Sequence, residues 1–135
     1  MQEYTKPLPR GEDLHAEFYQ FCRNHELRFQ RCSDCEAWRH MPRECCEACG
    51  SFDWSWQPSS GQGTLFSWTI IHRALHPSFA DDVPYAVAIV EMQEGVRLVS
   101  GLVDVPNDSL QIGLPLQVVF EDVTSEVTLP KFRSA

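Results

Sequence analysis

Four cysteines carry the most definite chemistry in this chain: Cys32-Ser33-Asp34-Cys35 and, after ten intervening residues, Cys46-Glu47-Ala48-Cys49, followed by Gly50. Each Cys-x2-Cys knuckle presents two thiolates from one tight turn, and two knuckles at this separation fit a single tetrahedral zinc ion. Four thiolates leave no open position for water, so such a zinc is structural. Its apparent binding energy, on the order of 10–16 kcal/mol, is folding energy for a ribbon this small. Cys45 is an alternative ligand, but Cys46 keeps the two-residue spacing and Gly50 lets the turn close. Cys45 then reads as a neighbouring thiol that donates to a zinc-bound sulfur.

Other reactive side chains are less sharply patterned. Cys22 and His25 lie one helical turn apart, the spacing of a thiolate–imidazole pair. No acid or amide that would orient His25 is evident, and Cys22 equally fits an apolar helix face as a small hydrophobe. His72, Arg73 and His76 end one strand and enter its loop, where they are placed to meet an anion such as a phosphate. The same segment also reads as a polar loop shaped by Pro77 and Phe79. Near the C-terminus, Leu129, Lys131, Phe132 and Arg133 are more apolar and basic than a solvated end requires, which leaves a docking role open beside that of a bland tail. Asp81-Asp82 and Glu121-Asp122 read as turn or surface charges, and no Ser/His/Asp or paired-carboxylate arrangement stands out.

The elements that position these residues follow from periodicity. Residues 1–10, with Pro7 and Pro9, predict an extended leader. From Asp13, placed as a cap, Leu14, Phe18, Phe21, Cys22 and His25 recur at helical steps and predict a short amphipathic helix. Leu27–Arg31 alternates as a strand entering the first knuckle, Ala37–Arg43 gives a second short strand ended by Pro42, and Phe52, Trp54 and Trp56 form a third. The Pro58–Gly63 cluster marks a boundary. Beyond it come a bent strand over Thr64–His72, a hairpin of Tyr85–Met92 and Val96–Val103 about Gln93-Glu94-Gly95, then Leu116–Val123 and Val127–Phe132. Five strands with no long helix between them predict a small Greek-key barrel of the OB type.

Charge then restricts the partners. The 135 residues carry a formal net charge of −8, and the part after residue 50 holds only Arg73, Arg97, Lys131 and Arg133 against ten acidic groups. Phosphate-backbone binding depends on Lys and Arg releasing counterions. Single-strand barrels also stack bases on aromatics of their central strands, whereas Tyr85–Met92 and Val96–Val103 offer only Tyr85 with Arg97. Phe66 and Trp68 share a face of the first barrel strand and read as core. A nucleic-acid-binding ribbon-and-barrel protein is thus the alternative that charge disfavours. No stretch is apolar enough to span a bilayer, and Met1–Pro7 lacks the apolar run of a signal peptide, so a cytoplasmic location with reduced thiols is expected.

Several strings together make the chain similar to a known family. They are Ser60-Gly61-Gln62-Gly63, Ile71–Phe79, Val83-Pro84-Tyr85, Glu94-Gly95-Val96-Arg97, Ile112-Gly113-Leu114-Pro115, Phe120–Thr124 and Leu129–Arg133, behind a helix and the cysteine knuckles. From about Leu14 onward the chain resembles the acyl-CoA-associated OB-fold proteins with a rubredoxin-like zinc ribbon, formerly catalogued as a domain of unknown function. The resemblance implies an accessory subunit, not catalytic alone, that stabilises or bridges a thiolase or a thiolase-like retro-aldol lyase (aldolase) acting on acyl-CoA. It also implies zinc on Cys32, Cys35, Cys46 and Cys49, and places His72, Arg73, Lys131 and Arg133 near CoA or the partner. Arg97 and Phe132 complete that candidate surface. Two departures are Glu36, where a glycine frequently follows the first knuckle, and Glu47, where a proline commonly follows the third cysteine.

The expectation is a mainly β, zinc-containing protein. It has a leader and helix over 1–30, a zinc ribbon over 31–57 and an OB-fold domain over 58–135. It joins a large enzyme subunit in a hetero-oligomer, contacts acyl-CoA through the candidate cluster if at all, and binds neither nucleic acid nor membrane.

Overall fold

The structure, a computed structural model, describes residues 4–9 and 12–135. Residues 1–3 and 10 of the expected leader lie outside the described residues, and 4–9 form no regular element. Helix α1 spans Asp13–Arg23 and buries Phe18 and Cys22. Asp13 is not its cap: Glu12 holds that position without a side-chain hydrogen bond, and Asp13 sits in the first turn, where its charge complements the helix dipole.

Strands β1 (Arg28–Cys32), β2 (Trp38–Arg39) and β3 (Trp54–Pro58) form an antiparallel sheet with β1 in the centre. Gln30 locks this sheet from within, because its amide is wholly buried. Its Oε1 accepts from Arg39 Nε at 2.9 Å and from the Arg43 backbone N–H at 2.7 Å, and its Nε2 donates to the Arg43 carbonyl at 2.8 Å. Arg39, itself buried, adds a bond to the same carbonyl at 2.8 Å and lies over Trp54. One amide thereby holds the chain between the two knuckles.

Strands β4 (Gln62–Ile71), β5 (Tyr85–Met92), β6 (Arg97–Gly101), β7 (Pro115–Asp122) and β8 (Thr128–Ser134) make the second sheet, in the order β6-β5-β4-β7-β8. A parallel bridge between Leu102 and Phe132 nearly closes it into the five-stranded barrel. The connections hold only two short 3-10 turns, Pro77–Phe79 and Asn107–Ser109, and α1 packs against β8 from the N-terminal side. Glu94 in the β5–β6 turn accepts from Ser59 Oγ at 2.6 Å and from the Ser60 N–H at 3.0 Å, fastening the strand-to-strand link at the barrel entrance.

Two sequence expectations are corrected here. A bulge between Leu65 and Ser67 puts an extra residue into β4, so Leu65 is buried while Phe66 turns outward, 39% exposed, beneath the Arg97 guanidinium at 3.7 Å. The apolar, basic C-terminal run is strand β8, not a tail. Its Phe132 is fully buried in the barrel core, so it carries the fold and offers no surface to CoA or to a partner. The ribbon and barrel share one apolar core, in which Phe18, Leu27 and Phe29 join Leu65, Val90 and Leu116.

Two stability predictions follow from this packing. A Cβ on Gly63 would lie 2.7 Å from the Glu91 carbonyl and 2.9 Å from Val90 Cγ1. Gly63→Ala should therefore cost about 1–3 kcal/mol in chemical denaturation. At the helix C-terminus, His25 Nε2 meets Asp122 Oδ1 at 2.9 Å, and Thr128 Oγ1 donates to the same oxygen at 2.5 Å. The Thr128 hydroxyl, and then His25, hold Asp122 below its ordinary value of 3.8. Because the folded value is the lower one, this contribution is complete above the unfolded value and disappears as pH falls through the folded one. Urea midpoints measured between about pH 5 and pH 2 should fall less steeply in Thr128→Val than in the parent chain.

Candidate functional site

The two knuckles converge as the spacing predicts. The Sγ atoms of Cys32, Cys35, Cys46 and Cys49 all lie within 4.8 Å of one another, with Cys32–Cys49 and Cys35–Cys46 each at 3.6 Å. Zinc–sulfur bonds of about 2.3 Å in a tetrahedron set sulfur–sulfur edges of about 3.8 Å. The four sulfurs therefore fit one zinc, and the short contacts are edges of its ligand shell. Cys32 and Cys46 are buried while Cys35 and Cys49 are exposed. Zinc here supplies a crosslink between the two turns.

The backbone prepares two of these four as thiolates, Cys32 and Cys46, while the close sulfurs push Cys35 and Cys49 up. Cys35 N–H points at Cys32 Sγ, 3.5 Å away, and is the main cause that brings Cys32 down to about 6. The Cys49 N–H does the same for Cys46, lowering it from its ordinary value. Gly50, at φ +79, takes the left-handed turn that ends the second knuckle, and its N–H donates to the Cys46 carbonyl at 2.8 Å. Cys45 does not serve the metal: its thiol points to the Gly50 carbonyl at 3.4 Å, not to a zinc-bound sulfur.

Both departures at the knuckles acquire a physical account. Glu36 stands at φ +65, the region that favours glycine, and is held there by Arg31 Nε donating to its carbonyl at 3.0 Å. Glu47 accepts from Arg43 Nη1 at 2.6 Å, four residues back along the chain.

The Cys22–His25 pair does not form. Burial pushes Cys22 up to about 12, an unreactive thiol, and the His25 ring turns to Asp122 and stacks on Phe120. Nor do the basic candidates form one cluster. His72 and Arg73 are exposed on the β4–β5 loop beside Leu75, which is 86% exposed. Arg133 is exposed near the end of β8. Arg97 and Lys131 do line one groove, between β6 and β8, but each is paired with a carboxylate: Arg97 with Glu91 at 3.1 Å and Lys131 with Glu121 at 2.9 Å.

That groove, of about 350 Å³, was not legible from the cysteines or the charges. It is lined by His15, Phe18, His40, Met41, Val99 and Pro130 among others. Burial, and secondarily His15, push His40 down to about 4, and its ring packs against Phe18 at 5.0 Å and Phe29 at 5.3 Å. A second cleft of about 660 Å³ lies where Tyr4 and Lys6 cross the barrel near Phe79 and Tyr85. Lys6 closes it at one side by pairing with Asp82 at 3.0 Å. Among the described residues no helix is long and apolar enough to cross a membrane.

Comparison with known proteins adds to this geometry. Residues 20–55 match the family described as the ChsH2 rubredoxin-like zinc ribbon domain, and residues 56–121 match the ChsH2 C-terminal OB-fold domain. The chain is 38% identical over 130 residues to a probable enoyl-CoA hydratase alpha subunit of Thermomonospora curvata, covering 96% of this chain and 40% of that protein. It is 42% identical over 67 residues to a DUF35 domain-containing scaffold protein of Methanothermobacter thermautotrophicus, covering 50% of each. It thus spans half or less of these two relatives' length. A chain of a solved structure described as Ltp2-ChsH2(DUF35) aldolase superposes with a TM-score of 0.82 at 37% identity, covering 96% of this chain and 98% of that one.

The metal assignment makes a direct prediction. The purified chain should hold one zinc by elemental analysis. Cys46→Ser should lose it and unfold the ribbon, whereas Cys45→Ser should keep both metal and fold.

Proposed function

Because the chain belongs to the ChsH2 family of DUF35 proteins, we propose that it is a non-catalytic accessory subunit that binds and supports a thiolase-fold enzyme acting on acyl-CoA thioesters. The observation that carries this reading is the end-to-end likeness to one chain of the Ltp2-ChsH2(DUF35) aldolase, since the match leaves almost nothing of either chain unaccounted for. The hydratase and scaffold names of the other relatives support the same division of labour, in which this module accompanies a larger enzyme.

The chemistry of the chain supports a supporting role. Its zinc is saturated by four thiolates and has no position for a substrate. The buried cysteine outside the metal site, Cys22, is held protonated, and the exposed His25–Asp122 pair joins two elements of the fold. The barrel's acidic balance weighs against a nucleic-acid partner, and its exposed Phe66 is already covered by Arg97. His72, Arg73 and Leu75 stand exposed together on the β4–β5 loop, where an apolar tip beside the Arg73 guanidinium and an imidazole suits contact with the large subunit or with the nucleotide end of its CoA substrate.

The test is affinity purification of the tagged chain from its native source, followed by mass spectrometry. Recovery of a stoichiometric thiolase-fold subunit is the expected result. Recovery of an enoyl-CoA hydratase alone would keep the accessory role and replace the class of partner. Recovery of no acyl-CoA enzyme would overturn the proposal.

A further inference from the structure

The barrel is an incomplete ring, and the geometry of its gap points to an occupant. We propose that the open seam between β6 and β8 receives an extended segment of the large subunit as an added strand, paired to the backbone of Arg97 and Val99. This rests on the accessory-subunit reading above.

The free edge is defined by register. β6 is paired with β5 alone. The Met92 N–H donates to the Val96 carbonyl at 2.9 Å, which makes 92/96 a hydrogen-bonded pair. Antiparallel pairs alternate, so Val90/Leu98 and Ala88/Ser100 are bonded while Glu91/Arg97 and Ile89/Val99 are not. The N–H and C=O groups of Arg97 and Val99 therefore point away from β5, into the seam.

Strand β8 does not satisfy them, and one residue explains why. The Phe132 carbonyl accepts from the Val103 N–H at 2.7 Å, so the backbone of residue 132 faces the seam. Pro130, two residues earlier, faces the same way and has no N–H to give. Its carbonyl takes the Ser100 hydroxyl at 2.8 Å in place of a β6 backbone donor. Pairing is thus confined to the single Leu102–Phe132 bridge, and the strands part on the other side of Ser100.

What remains is a groove with the β6 edge along it, Phe18 and Leu98 in its apolar lining, and Met41, Pro42, Leu129 and Pro130 as further walls. Met41 is 52% and Val99 66% exposed, large apolar groups left uncovered on the rim. The two cations at the groove are already paired, so a free anion finds no unpaired charge there. A second copy is a poor occupant, since its own β6 edge lies recessed in the same kind of groove. A protruding extended segment, with apolar side chains at alternate positions and an unhindered main chain, supplies both the hydrogen bonds and the apolar cover.

The experiment uses the complex of this chain with its large subunit, together with Val99→Pro and Val99→Thr. Proline removes the seam-facing donor and no bond to β5, whereas threonine keeps the donor. Both variants are first checked for an unchanged melting temperature and zinc content. Amide hydrogen exchange over residues 96–101 of the unsubstituted chain should slow by about tenfold or more in the complex. Val99→Pro should weaken assembly by about tenfold, the worth of one interfacial hydrogen bond with its desolvation, and Val99→Thr should bind as the parent does. Unchanged exchange in an intact complex would overturn the inference while leaving the accessory role standing, as would a folded Val99→Pro that assembles like Val99→Thr. Failure of the parent chain to capture any large subunit would remove both.

Discussion

Strand β1 is the spine on which the molecule depends. Its last residue, Cys32, is a zinc ligand, its Gln30 holds the chain between the knuckles, and its Phe29 is buried in the core shared with the barrel. Three demands fall on five residues, and alternation alone does not meet them: Phe29 and Gln30 are adjacent and both wholly buried. The sheet satisfies this by covering both faces of β1, one with Phe18 and His40 and the other with the Arg39–Arg43 turn. A ribbon of this size has too little apolar surface to stand alone, so metal at one end and a borrowed core at the other complete it.

Electrostatics divides the molecule differently from the fold. At the zinc, backbone N–H groups hold thiolates in place within an otherwise acidic chain. On the barrel, two of the cations that looked available for an anionic ligand are held by neighbours, Arg97 by Glu91 and Phe66 and Lys131 by Glu121, and in the leader Lys6 is held by Asp82 and Phe79. Exposed ion pairs of this kind contribute little stability each. Their effect is to lower the local field around the grooves, which makes shape and main-chain hydrogen bonding the discriminating features of those surfaces.

Much of this was readable in advance, for identifiable reasons. The cysteine spacing encodes a local geometry, and two knuckles need only meet once to define a tetrahedron. The helix and strands announced themselves through period, and the hairpin through Gly95. What escaped was decided by register or by distant partners. Phe66 and Trp68 look equivalent two residues apart until a bulge at Leu65/Ser67 shifts the count. Leu129–Arg133 looks like a sticky tail until β7 is laid beside it and Phe132 turns inward. Gln30 carries no signal, since a glutamine in a strand is ordinary until two arginines from another segment converge on it. The groove beside β6 exists because of a proline on a strand thirty residues downstream, a relation no local pattern contains.

That proline also changes what kind of mechanical object the barrel is. A fully laddered barrel is a hoop: it cannot widen without breaking a hydrogen-bonded strand pair. Here four ladders form a continuous belt from β6 to β8, and only the Leu102–Phe132 bridge and the Ser100 hydroxyl fasten its ends. The result is a split ring. Its girth is set at one short clasp and by the side chains packed inside it, not by an unbroken ladder. Pro130 gives up one hydrogen-bond donor, and what would be a hoop is left as a belt with two ends.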